Sequence, residues 1–245
     1  AKPDDETIVY DLPTFDQLSV QGADFTDTVE ITTANAKALG FTSGFPNVLS
    51  AFGGGVIDGT MSIASTSNNA NADFLSVALH EVGHALGFVS GVGEVDEGSA
   101  VVDLTSMDLF RVAPGKGAQG LFTSTPRVVD PTLDHVFYDG GRFDPTVITT
   151  IPGLGLGDIP LATGVNNGDG WQPSHLKHRN DINGVFLGIM DPVENPVFDT
   201  PLDNDKRILD LIGWDVIYAG PPTPGDWNTI LLDEFSHDRN ILTVV

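Results

Sequence analysis

The chain has 245 residues, 40% of them hydrophobic, enough for one substantial domain or two lobes sharing a cleft. Its 34 acidic residues against 11 basic ones give a formal charge of −23, which argues against a nucleic-acid partner, because phosphate binding needs Lys and Arg. There is no cysteine, which excludes disulfides, thiolate ligands and a cysteine nucleophile, and no apolar run of about 18 residues that could span a membrane.

Residues 1–28 are acidic with scattered apolar positions, and read as an N-terminal arm, a pro-region remnant or a first strand. The polar start Ala1-Lys-Pro-Asp-Asp5 is no export signal, so any such signal is expected to have been removed. Thr28 to Thr33 alternates and predicts a strand; Ala34 to Leu39 predicts a short helix stopped by Gly40. Phe41 to Gly55 reads as loop, and Gly59 to Ser65 as another strand. A helix is predicted over 71–86, with Asn71 as N-cap, Leu75, Leu79, Val82 and Leu86 on one face, and Gly87 as its stop. From Gly91 to Gly170 the chain reads as mostly irregular, with short β-like runs at Leu109–Val112, Arg127–Val129 and Val147–Ile151. So long an irregular stretch is usually functional or held by bound ions. Asp203 to Ile212 predicts a further helix. Gly220-Pro-Pro-Thr-Pro-Gly225 reads as a linker, with residues 220–245 forming it and the start of a further segment.

The predicted helix over 71–86 carries His80-Glu81-Val82-Gly83-His84. Histidines at i and i+4 stand one turn apart on one helix face, where both can reach a single metal ion. Glu81 projects beside that ion, where it can take a proton from an activated water. Without thiolates, zinc must be held by His and carboxylate. In a chain with 6 His and 7 Glu, roughly 0.004 chance matches to this pattern are expected, so coincidence is a poor explanation. Two ligands leave a site incomplete. Candidates for the third are His175, His178, and the carboxylates Asp108 and Glu94; His135 lies in a β-like run and reads as structural, and His237 lies beyond the linker.

His80-Glu-Val-Gly-His-Ala-Leu-Gly-Phe88 resembles the zinc-helix motif of the metzincin clan of metallopeptidases. Gly87 falls where that clan bends the chain, but the clan's usual third His is replaced by Ser90. Ser174-His-Leu-Lys-His178 followed by Gly188-Ile-Met-Asp-Pro192 is similar to leishmanolysin and related bacterial secreted metalloproteases, in which a large insertion precedes the third His and a Met-containing turn passes under the metal. The likeness extends over most of 29–216. It implies an α+β fold, a small twisted sheet with the active-site helix and an irregular, loop-rich C-terminal subdomain, with 29–219 as the catalytic domain. It implies zinc on His80, His84 and His175 (His178 being the alternative), 91 positions after His84, with Met190 as the Met-turn floor and Glu81 as general base. It also implies that Gly59, Thr60, Met61, Ser62 and Ile63 form an edge strand pairing with extended polypeptide substrate. A second electrophile is left open among His178, Tyr138 and Tyr218.

The expected activity is therefore that of a secreted, bacterial, monomeric zinc endopeptidase. The rival is a non-catalytic binding or adhesion module on the same fold. Asp96-Glu97, Asp139 to Asp144 and Asn166 to Gly170 fit no EF-hand spacing; they read as turns, with calcium as the functional alternative.

Overall fold

The computed structural model describes residues 7–39, 58–61, 74–117, 122–141, 154–155, 157–193 and 202–216. Expectations for 41–55, 62–73, 147–151, 220–225, Asp144, Tyr218 and His237 fall outside these residues, Ser62 and Ile63 among them.

The architecture is mixed α+β with small sheets. In chain order come helix α1 (Thr7–Tyr10), strands β1 (Val20–Gln21) and β2 (Asp24–Glu30), helices α2 (Thr33–Ala38), α3 (Phe74–Ala85) and α4 (Val92–Asp96), strands β3 (Val101–Thr105), β4 (Arg111–Val112), β5 (Arg127–Val128), β6 (His135–Tyr138) and β7 (Asp158–Leu161), and helix α5 (Asp203–Leu211). β1 pairs parallel with β5, and β2 parallel with β3 across a register shift between Phe25 and Val29. β4, β6 and β7 form an antiparallel sheet in that order. Residues 20–21 and 24–30 are strand. Among the described residues no helix is long and apolar enough to cross a membrane.

Several boundaries move for identifiable reasons. The strand expected at Thr28–Thr33 runs instead from Asp24 to Glu30, because Thr32 is the N-cap of α2 and its side chain accepts the Asn35 N–H at 3.1 Å. In the stretch 91–170, expected to be mostly irregular, β4 and β5 fall in the β-like runs Leu109–Val112 and Arg127–Val129, whereas α4, β3, β6 and β7 are additional. Gly59 to Met61 lie outside any strand.

Among the described residues two cores are formed. The larger gathers Phe88, Met107, Phe110, Phe137, Leu161, Leu176, Met190, Ile208 and Ile212 between the three-stranded sheet, α3 and α5. The smaller gathers Val92, Val102, Leu104 and Val129 under β3. Among the described residues, Arg111 and Arg127 are wholly buried. The Arg127 guanidinium lies 4.2 Å over the Phe122 ring and donates to the carbonyls of Leu109, Phe122 and Thr125; burial lowers its pKa to about 10.

Helix α3 packs Leu79 of its apolar stripe against the larger core, but the first position of that stripe faces solvent. Leu75 is 43% exposed, whereas Ser76 is 2% exposed and Gly83 and Gly87 are buried. These small buried positions let the side chains of Met190 at Gly83, and of Ile212 and Asn35 at Gly87, approach closely. A Cβ at Gly83 would stand 2.4 Å from Met190 Sδ. The helix ends in a Schellman motif: Phe88 N–H donates to Gly83 O at 3.0 Å and Gly87 N–H to His84 O at 3.1 Å, with Gly87 at φ +117°.

Candidate metal centre

His80 and His84 project from α3, and His175 reaches them from the loop after β7. The three rings form a tripod. His80 and His175 are stacked with centroids 5.0 Å apart, and His84 stands edge-on to both at 4.9 and 4.8 Å. One ligand atom from each lies within 4.8 Å of the others, and among the described residues no further His, Asp or Glu joins the group. This group could hold a metal ion.

Each ring is oriented by a backbone carbonyl. His80 Nδ1 donates to Ile189 O at 2.8 Å, His84 Nδ1 to Phe88 O at 2.8 Å, and His175 Nδ1 to Gln172 O at 3.1 Å. A carbonyl can only accept, so each Nδ1 carries the proton and each neutral ring presents a bare Nε2 lone pair. His80 Nε2 and His175 Nε2 are 3.0 Å apart. Two lone pairs at that distance repel unless a cation or proton lies between them. Ligands on a tetrahedral zinc at 2.0–2.1 Å are separated by roughly 3.3 Å, so the spacing fits a shared ion. Burial first, and then the His84 and His80 imidazoles, push His175 down to about 3; burial also lowers His84, against the opposing Phe88 hydrogen bond. The depressed values keep His84 and His175 neutral and available as ligands. Glu81 is exposed beside the tripod, and its charge acts on His84.

The turn at Gly188–Pro192 adjoins the group, since its Ile189 carbonyl holds His80. Met190, 1% exposed, packs against Gly83, and its carbonyl accepts the Leu176 N–H at 2.9 Å. Asp205 on α5 fixes this turn. Its carboxylate accepts Ile189 N–H at 2.8 Å, Met190 N–H at 3.2 Å and Leu202 N–H at 2.8 Å. Burial raises Asp205 to about 6 against those donors. Gly188 leaves room for it, since a Cβ there would fall 2.4 Å from Asp205 Oδ1. Nothing in the local sequence marks Asp205; only its position at the third residue of an acidic helix start hints at it.

The other candidates are placed elsewhere. His178 is the N-cap of the 3-10 turn Arg179–Ile182, accepts Asn180 N–H, and stacks on Trp171 at 4.4 Å. Asp108 is wholly buried, with both oxygens engaged by Ser90, Gly91, Thr105 and Arg111. Glu94 is exposed on α4. His135 sits in β6, its Nδ1 accepting from Arg111 at 2.9 Å and its Nε2 donating to Asp130 O at 2.8 Å, a structural placement. Tyr138, a candidate electrophile, is in β6, packed on Phe122. At Asp96 the carboxylate accepts the backbone N–H groups of Val165, Asn166 and Asn167, which use the lone pairs a cation would need. Asp139 caps its own turn through Gly141 N–H at 3.0 Å.

No protein-family model, curated protein or solved structure matches the chain. The site is therefore read from its own geometry.

Proposed function

We propose that this chain is a zinc-dependent endopeptidase of the metzincin type, with His80, His84 and His175 as the metal-holding residues, Met190 as their floor and Glu81 as general base. The observation that carries the reading is the convergence of three neutral imidazoles, each fixed through Nδ1, beside an exposed carboxylate. Zinc held there would supply Lewis acidity, lowering the pKa of a water towards about 7 and polarising a carbonyl. The chain's own residues do the rest. Glu81, one residue after His80, accepts the proton released as water attacks a peptide carbonyl and passes it to the leaving amine. The three neutral rings add no charge of their own, so the full positive charge of the ion acts on the carbonyl. A purely structural zinc site would need a fourth protein ligand, and among the described residues none joins the group. The substrate class proposed is extended polypeptide, and the enzyme is proposed to act after export.

The test is hydrolysis of casein by the wild type and by Glu81→Ala, with bound zinc measured in both. Equal zinc with activity reduced by about 10²–10⁴-fold in the variant is expected from loss of the base. An inactive, zinc-loaded wild type would favour a binding module on this fold.

A further inference from the structure

In place of the third histidine of the compact metzincin pattern stands Ser90, and its surroundings are unusual. Ser90 Oγ donates to Asp108 Oδ1 at 2.7 Å. Arg111 Nε donates to the same oxygen at 3.0 Å, both side chains being wholly buried. Arg111 Nη2 then donates to Pro173 O at 2.8 Å. One residue on, Ser174 Oγ accepts the Ser90 N–H at 3.0 Å. The hydrogen bonds close into a ring: Ser90, Asp108, Arg111, Pro173, Ser174 and back to Ser90. The next residue in the chain is His175, whose Nδ1 donates to Gln172 O. Every residue of Gln172-Pro-Ser, which presents His175, is thus fastened, and two of the three fastenings lead into the ring.

We infer that Ser90, Asp108, Arg111 and Ser174 are positioning residues that set the affinity of the metal centre by fixing where His175 stands. This rests on the reading of the three histidines as metal ligands. His80 and His84 are held by α3 itself, but His175 comes from a loop 95 positions after His80 and has no helix to place it. The ring ties that loop to the chain just beyond the α3 terminus, so the third ligand is indexed to the helix that carries the first two. Ser90 acts here as a strut between the two, not as a ligand. Buried networks of this kind are stiff when every member is satisfied, and Asp108 and Arg111 meet that condition through Gly91, Thr105, His135 and Ala162 as well.

The experiment uses the full chain. Zinc affinity is measured by competition with a chromophoric chelator, and the melting temperature of the metal-free protein by calorimetry, for wild type, Ser174→Ala, Ser90→Ala and Ser174→Thr. Outer partners of metal ligands typically change affinity by about 10–100-fold. Both alanine variants are expected to bind zinc at least about tenfold more weakly, and Ser174→Thr, which keeps an Oγ acceptor, to return to within about threefold of wild type. Alanine variants that melt lower without metal but bind zinc as the wild type does would overturn the inference and leave a structural role. A wild type that binds no zinc would instead remove the metal reading on which it rests.

Discussion

His175 and His178 lie three positions apart and look equivalent in the sequence, yet their surroundings assign them opposite tasks. His175 presents a bare Nε2 to two other imidazoles, whereas His178 uses Nδ1 to cap a turn and its ring to cover Trp171. His175→Ala is expected to lower zinc affinity by at least about 10²-fold, as expected for loss of one of three ligands. His178→Ala should keep stoichiometric zinc and lose about 1 kcal/mol of stability through the lost stack. Zinc content after dialysis, read together with urea midpoints, separates the two. His135 supports a prediction about pH. Burial, and then the Arg111 charge, lower it to about 3, against an ordinary value near 6.5. Its folded pKa is below the unfolded one, so its contribution is fully present above pH 6.5 and is lost as pH falls from there towards 3, on the order of a few kcal/mol. His135→Gln, which can keep both hydrogen bonds, should flatten that acid limb of the urea midpoint. An unchanged slope between pH 6.5 and 4.5 would show that His135 is not its source.

At the scale of elements, α3 was legible as a helix because of its apolar spacing and its glycine stop, but the side it buries was legible only in part. Of the apolar stripe Leu79 packs on the core while Leu75 is exposed, and the buried positions also include Ser76 and Gly83, which the apolar spacing does not mark. Gly83→Ala probes that buried side. Helix propensity alone favours Ala by about 1 kcal/mol. A Cβ 2.4 Å from Met190 Sδ, with Met190 itself buried, instead predicts a net loss of about 1–3 kcal/mol through overpacking, checked by thermal melting. The His-Glu-x-x-His motif and its helix were readable because one turn of helix fixes their geometry. The third ligand could be named only through a resemblance, because no local pattern links residues 95 positions apart. Asp205, beyond its place in an acidic helix start, and the Asp108–Arg111 pair were not legible as supports of the site. Their role is to accept or donate to backbone of distant loops, and a single sequence carries no mark of that. Strand β3 was missed for a related reason: only five residues long, it keeps its place by parallel pairing with β2, about 75 residues earlier.

For the molecule as a whole, a formal charge of −23 on 245 residues opposes compaction by self-repulsion. Added salt screens such repulsion over about 10 Å at 0.1 M, so the melting temperature is expected to rise between 0.01 and 0.3 M sodium chloride. A fall would place the stabilising charges in exposed ion pairs instead. The parallel pairings β1–β5 and β2–β3 join the start of the described chain to its middle, and the three clustered histidines join α3 to the loop after β7. Three lone pairs facing one another are an unfavourable arrangement in the metal-free protein, held in place only by the rest of the fold. An ion that binds the folded chain alone relieves it and adds RT ln(1 + [L]/Kd), about 4 kcal/mol at a free concentration a thousand times Kd. With an ion bound as proposed, the tripod would make the folded population a function of metal supply: least durable where the ion is scarce, locked together by the same residues where it is plentiful.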